Sequence, residues 1–318
     1  GVQYVASFGL IIGATFMYLQ NYYMQNTPLG YDKDEIIITN MNNNIRKSRD
    51  AFASQVKSFS GIEEVTYAEM LLSSQDQYMG WGRKFQCLPV EPSFLKVMNV
   101  KISEGRDFRE EDKAKRYGTF VFNERARTEY GLEIGSLIDS MEIVGFMPDV
   151  KFASFRTEVT PMAFFVWGTN NWGNQPNYAY IKVKAGSDLR GAMQHVKTTL
   201  QSFDPEYPFN VRFFDEVLNG LYEKERSLSS LITLFSLIAI FISVVGVFGL
   251  VVFDSEYRKK EIGIRKVLGS TTEEIIVMFN KTYIRILCVC FVLGAPIAGY
   301  VVHRWLENFA YKTPMYWW

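Results

Sequence analysis

The chain has 318 residues, 48% of them hydrophobic and 15% aromatic, and its 34 basic and 34 acidic residues cancel to a formal net charge of zero. With charge balanced and no basic face interleaved with stacking aromatics, nucleic acid is excluded as a partner. The composition allows a large core, and the three cysteines imply no disulfide framework.

Polarity is segregated along the chain, and that segregation decides the class. Residues 1–31 carry no charge, nor do residues 228–253 or 286–302. A hydrocarbon core of about 30 Å needs about 20 apolar helical residues, with about 17 as the lower limit. Three membrane spans are expected, at 1–22, within 215–253 and at 283–302; the third reaches back past Arg285, whose long side chain can snorkel to the interface. The first reads as a span met partway, because no initiator Met, basic n-region or cleavage site precedes it. At the other end, residues 303–318 read as a loop closing on Met315-Tyr-Trp-Trp318, interface-type aromatics that would begin a missing fourth span.

Between the first two spans, residues 23–214 read as a mixed α and β domain of two small lobes. Short β-rich runs are expected at Glu35 to Thr39, Val65 to Leu71, Phe85 to Val90, Thr119 to Asn123, Met141 to Phe146, Met162 to Val166, Tyr178 to Val183 and Val211 to Phe214. Helical periodicity covers Ile45 to Phe59 and Leu189 to Phe203. Cys87 reads as a buried structural thiol, with pairing to another chain as the alternative. His195 is expected to cap its helix or face solvent. Asp107, Glu110, Glu111 and Asp112 read as a solvated helix start, since no oxygen-rich loop spacing accompanies them.

Asp215 and Glu216 start a helix whose apolar side, Val217, Leu218, Leu221, Tyr222 and Leu228, continues into the second span. Unbroken to Phe253, it would be about 58 Å long and would protrude as a stalk. Residues 21–26 could extend the first span in the same way, ending at Pro28 to Gly30.

Residues 254–282 follow, with six cations, Arg258, Lys259, Lys260, Arg265, Lys266 and Lys281, against Arg304 and Lys312 alone in the next short loop. The positive-inside rule places this segment in the cytoplasm and the large domain outside. The two histidines, His195 and His303, then lie in different compartments and cannot share a metal. A helix is expected from Glu256 to Leu268, stopped by Gly269, with a fresh start in which Ser270 to Glu273 and Thr271 to Glu274 both fit a capping box. Ile262, Ile264, Val267 and Leu268 would be offered to a partner's groove, or the helix would rest on anionic lipid. No catalytic constellation appears, and residues 263–270 lack the Gly-Lys pairing of a phosphate-cradling loop.

Glu261-Ile262-Gly263-Ile264-Arg265-Lys266-Val267-Leu268-Gly269, after an uncharged span and before Ser270-Thr271, resembles the coupling segment of FtsX/MacB-type ABC transporter permeases. Leu29-Gly-Tyr-Asp-Lys33, Gly105-Arg-Asp-Phe108, Asn123-Glu124, Ile143-Val-Gly145 with Asp149, and Phe214-Asp-Glu216 resemble that family's external-domain signposts in order. The resemblance implies an α-helical transmembrane bundle carrying an extracytoplasmic α+β domain on helical stalks, in a bacterial inner membrane. It implies a cytoplasmic ABC ATPase that binds the coupling segment and itself holds ATP and magnesium, this chain having no cofactor. It further implies a second permease half or a homodimer, and a possible extracytoplasmic protein partner. The expected function is to convey ATP-driven motion to the external domain to export or extract a substrate; the alternative is a membrane-anchored sensor or regulator that moves no cargo.

Overall fold

A computed structural model describes residues 2–72, 78–80, 83–151, 155–170, 175–220 and 222–315. The chain divides into two compact units, one of Pro28–Tyr222 and one of Gly1–Thr27 with Glu223–Trp318. In chain order the elements are α1 (Val2–Asn26), β1 (Ile36–Asn40), α2 (Asn43–Lys47), α3 (Arg49–Lys57), β2 (Ile62–Ala68), β3 (Tyr78–Gly80), β4 (Lys84–Pro89), α4 (Phe94–Val97) and β5 (Glu104–Gly105). A 3-10 turn, Glu110–Ala114, precedes β6 (Thr119–Asn123), α5 (Glu124–Tyr130), β7 (Leu137–Ile138), β8 (Met141–Met147), β9 (Met162–Val166), β10 (Tyr178–Val183), α6 (Leu189–Phe203) and β11 (Arg212–Phe213). The last four helices are α7 (Phe214–Gly220), α8 (Glu223–Tyr257), α9 (Lys259–Val267) and α10 (Thr272–Leu306).

The Pro28–Tyr222 unit is built on two sheets. One is antiparallel in the order β11-β1-β10-β2; the other runs β3-β4-β9-β6-β8-β5, with β7 on β8, and is mixed because β4 pairs β9 and β6 pairs β8 in parallel. Strand alternation sends successive side chains to opposite faces. Thus Ile36 and Ile38 of β1 join one core while Ile37 joins another under α2, α3 and α6. Likewise Val121 of β6 faces the first core, and Phe120 and Phe122 face a third beside α5. The first core holds Ile36, Ile38 and Tyr180 from one sheet with Val121, Val144 and Phe164 from the other, so the two lobes share an interior.

Glycine fixes one contact inside the second sheet. A Cβ on Gly105 would lie 2.4 Å from the Val144 carbonyl oxygen, and one on Gly145 would lie 2.4 Å from that of Arg106. The two backbones therefore approach as only glycine permits, and Gly105 also takes φ +82°.

In the other unit, α1 packs against both α8 and α10. All three are long and apolar enough to cross a membrane, and the apolar run 283–302 lies inside α10. Small and hydroxylated residues make several of the contacts, as is usual between helices in lipid, beside the edge-on pair of Phe8 on α1 and Phe291 on α10. Ser7 and Ser243 lie 2.9 Å apart, Ser236 Oγ donates to the Leu10 carbonyl at 3.0 Å, and Gly294 lets the Val5 carbonyl approach. Gln20, fully buried, donates to the Tyr311 carbonyl and accepts from the Thr313 amide at 2.7 Å.

The single helix expected from Asp215 to Phe253 is two helices. α7 ends at Gly220 and α8 starts at Glu223, with the Tyr222 amide bonded back to the Asn219 carbonyl at 3.0 Å. Asn219-Gly220 is a weak helix pair, and Gly costs about 1 kcal/mol against Ala in a helix interior. Tertiary contacts then claim Tyr222: its hydroxyl accepts from the Phe155 amide at 2.7 Å, and its ring meets that of Phe155 edge-on. Leu221 and residues 316–318, both used in the sequence reading, lie outside the described residues.

Candidate functional site

The segment singled out from sequence, Glu261 to Gly269, forms most of α9 and its C-terminal cap. The expected helix from Glu256 is divided, because Glu256 and Tyr257 complete α8 and Arg258 (φ −97°, ψ 13°) turns the chain. The turn falls just past the uncharged run 228–253, after the last turn of α8 with Asp254 and Glu256 and at the start of the basic cluster Arg258-Lys259-Lys260.

The far end of α9 closes in a Schellman arrangement. The Ser270 amide donates to the Arg265 carbonyl at 3.0 Å and the Gly269 amide to that of Lys266 at 3.2 Å, with Gly269 at φ +95°. That left-handed residue makes Gly the natural occupant. Of the two possible capping boxes, Thr271 is the one used: its hydroxyl accepts from the Glu274 amide at 3.3 Å, and Glu274 Oε2 accepts from the Thr271 amide at 3.0 Å. Tyr283 donates to Asp254 Oδ2 at 3.0 Å, tying α10 to the end of α8. A helix of nine residues, about 13 Å long, is thus bounded by fixed turns on both sides.

Its surface is open. No residue of α9 is buried, and Ile264, Val267 and Leu268 are 62%, 89% and 80% exposed, with Ile262 half-buried. Glu261 is taken by Arg265, whose Nη2 lies 2.9 Å from Oε1, and Lys259 reaches Glu256 at 3.4 Å. Such exposed pairs contribute about 0.3–0.5 kcal/mol each, so they orient side chains more than they stabilise the helix. A Cβ on Gly263 would meet nothing within 4 Å, which keeps that side of the helix low and unobstructed. Three adjacent exposed apolar side chains ringed by cations suit helix-in-groove docking.

The residues singled out in the external domain take structural positions. Cys87, on β4, is buried in the core beside Phe85 and Phe120. His195 does not cap α6, whose N-cap is Asp188 and whose C-cap is Asp204; from mid-helix and half-buried, its Nε2 lies 2.9 Å from the Gln55 carbonyl oxygen and its ring stacks on Phe59, joining α6 to the end of α3. The acidic group is not uniformly solvated. Asp112 is 1% exposed, gripped by both Arg106 amino groups at 2.8 Å and by the Arg109 amide at 2.9 Å. Burial works against its charge, but the Arg106 hydrogen bonds, the Arg109 amide and the charges of Arg106 and Lys115 hold its carboxyl below the usual range. Asp107 is shifted the other way, chiefly by burial. Among the described residues no group of three or more His, Cys, Asp or Glu is placed to hold a metal.

The sequence signposts have visible jobs. Asn123 Oδ1 accepts from the amides of Ala126 and Met162, both at 3.0 Å, so it caps α5 and anchors β9. Asp149 Oδ1 accepts from the Arg125 amide at 2.9 Å. Phe214 packs on Tyr31 and Tyr180 in the shared core. Tyr222 and Phe155 were missed as a pair, since nothing in their spacing announces contact across 67 residues.

Among the described residues, three helices long and apolar enough to cross a membrane, an α+β domain between the first and second, and a short capped helix between the second and third are the arrangement of a permease-type membrane chain. Residues 5–199 match the MacB-like periplasmic core domain, and residues 233–318 match the FtsX-like permease C-terminal. The chain belongs to the FtsX/MacB-type permease family, a family of ABC transporter permease components. Among curated relatives, the macrolide export ATP-binding/permease protein MacB of Escherichia coli strain K12 is 23% identical over 220 residues, covering 65% of this chain and 33% of that protein. The Shigella flexneri protein of the same description matches to the same extent. The chain thus spans about a third of the length of these relatives. Among solved structures, the periplasmic region of MacB from Actinobacillus actinomycetemcomitans has a TM-score of 0.41 at 14% identity, covering 60% of this chain and 94% of that one. The extracellular domain of the ABC-type transporter YknZ from Gram-positive bacteria has a TM-score of 0.39 at 10% identity, covering 56% and 99%.

Proposed function

We propose that this chain is the permease subunit of a MacB-type ABC transporter, taking ATP-driven motion from a separate ATPase at α9 and passing it through α8 and α1 to the external domain. One observation carries the reading: α9 is fixed at both ends yet leaves Ile264, Val267 and Leu268 uncovered. A helix held this firmly with its apolar residues left uncovered by the rest of the chain fits a rigid lever awaiting a groove. ATP and magnesium belong to the partner, and the chain works with a second copy or a second permease half. The membrane is the bacterial inner membrane, with α9 in the cytoplasm and the Pro28–Tyr222 unit outside it.

Copurification with the ATPase, with and without nucleotide, tests this. Covering a Leu or Ile side chain is worth about 1.5–3 kcal/mol, so Ile264→Ser or Leu268→Ser should weaken the association by about tenfold or more. Unchanged association in both variants would overturn the docking role of α9. Substrate leaving membranes or cells in an ATP-dependent way supports export or extraction; a signalling or hydrolase partner that switches with no cargo moved would replace export by the regulator reading.

A further inference from the structure

Both ends of the external unit lead, along the chain, to the same sheet. Residues 28–35 run from α1 into β1, while β11 and α7 lead to Tyr222 and then to α8. β1 and β11 are paired neighbours, Ile37 with Phe213 and Ile38 with Arg212. The second sheet, β3 to β9, has no such covalent route to either membrane helix.

Hydrogen bonds supply one, and they gather on residues that follow β8. The Lys151 amide donates to the Leu29 carbonyl at 2.9 Å, and the Tyr31 hydroxyl donates to the Lys151 carbonyl at 3.3 Å. Gly30, at φ +92°, lies so close to Val150 that a Cβ would come within 2.6 Å of its Cγ1. From the other end of the unit, the Tyr222 hydroxyl accepts from the Phe155 amide at 2.7 Å, and the two rings meet edge-on at 6.1 Å. Asp149 and Val150 are in turn held to the second sheet, Asp149 by the Arg125 amide of α5, which packs on β6, β8 and β9, and Val150 by burial in the shared core, while Phe155 leads along the chain into β9. Burial raises the Tyr31 hydroxyl's pKa, so it stays protonated and can donate.

We propose that Tyr31 and Tyr222 are positioning residues of a latch that ties both chain approaches from the membrane helices to Asp149–Lys151 and Phe155, so that motion of α1 and α8 reorients the second sheet against the first. The proposal rests on the permease reading and adds to it a route and named residues. The sheets are held by a shared apolar core, whose contact is non-directional, and by one backbone-bonded edge, where the Glu69 amide donates to the Pro89 carbonyl at 3.1 Å and the Glu91 amide to the Tyr67 carbonyl at 3.0 Å. The hydrogen bonds at Lys151 and Phe155 are separate from that edge and give displacement of the chain approaches a second line of attachment. It also gives the signposts Leu29-Gly-Tyr31 and Asp149 a common purpose, since Leu29 and Tyr31 bond to Lys151, two residues after Asp149.

The test uses the full chain with its ATPase in lipid nanodiscs, spin-labelled at Lys57→Cys on α3 and Glu129→Cys on α5, with Cys288→Ser. The nucleotide-driven change in the label distance is compared between the parent and a Tyr31→Phe/Tyr222→Phe variant, which keeps both rings and removes both hydroxyls. The variant should lose at least half of the change at unaltered ATPase rate and unaltered copurification. A full change in the variant would sink the latch and leave the permease reading intact. An ATPase that never associates with the parent chain would remove the permease reading, and a parent that binds it but shows no distance change would remove the latch. A second readout needs no nucleotide: amide exchange at Phe155 should quicken at least tenfold in Tyr222→Phe alone, and unaltered exchange would refute the Tyr222 contact.

Discussion

Arg106→Met isolates the ion pair beneath the Gly105-Arg-Asp-Phe108 turn. Asp112 is 1% exposed, and Arg106 supplies two of its contacts at 2.8 Å; the substitution leaves only the Arg109 amide at 2.9 Å and Lys115 at 3.5 Å. Removing one partner of a buried pair costs about 3–5 kcal/mol, because the other charge stays buried. Arg106 is itself 29% exposed and Lys115 remains, so the expected loss lies at the lower end, about 3 kcal/mol. Denaturant unfolding of segment 28–222, which has its own cores, followed by tryptophan fluorescence, measures it. The pH dependence gives a second check. In the parent the Asp112 pKa is depressed, so its contribution is present above the ordinary value of 3.8 and is lost as pH falls through the lower folded value. In the variant, burial dominates and raises that pKa, so protonation relieves the penalty as pH drops. The difference between the two proteins should be full at pH 7 and narrow on acidification. A loss below about 0.5 kcal/mol, as at an ordinary surface site, or a deficit that widens toward pH 4, would refute the reasoning.

Asn123→Ala should cost about 2–4 kcal/mol in the same assay, combining a lost helix cap with an orphaned Met162 amide, whereas Asn123→Asp, measured under acidic conditions in which the buried carboxyl is protonated, keeps both acceptor bonds and can still donate to the Thr160 carbonyl, and should cost less. Equal losses in the two variants would contradict the assignment of Oδ1 to both amides. In the membrane unit, Gln20→Leu strips the Tyr311 carbonyl and Thr313 amide of their partner; a loss of about 1–2 kcal/mol and faster proteolysis within 307–315 are expected, and an unaltered cleavage rate would show the pairing to be dispensable.

The parts of the fold legible in the sequence were those governed by periodicity. Thr119–Asn123, Met162–Val166, Tyr178–Val183 and Leu189–Phe203 run between the residues expected, because the strands are apolar on both largely buried faces and the helix keeps one apolar face, Ala192, Val196 and Leu200, at helical spacing. What escaped is set by contacts distant in sequence. β5 and β7 have two residues each, β5 existing because Gly105 and Gly145 let two backbones touch. The expected helix from Ile45 to Phe59 breaks at Ser48, whose amide bonds back to Ile45 and whose carbonyl then accepts from Phe52. Gly220 carried a local warning of the break before α8, but the pull of Phe155 on Tyr222 did not. At α9 the boundaries were readable only in part: Gly269 marked the end of the helix, whereas the turn at Arg258 and the choice of Thr271 over Ser270 depend on where α8 and α10 lie.

The central claim, that α9 docks on an ATPase, is tested most directly by photo-crosslinking. A benzophenone amino acid at Ile264 or Leu268, 62% and 80% exposed in the structure, should join the chain to the ATPase in nanodiscs, while the same group at Tyr18, 66% exposed on α1, should not. Crosslinks from both α9 positions to an ATPase groove would support the account; crosslinks from both to lipid alone would contradict it.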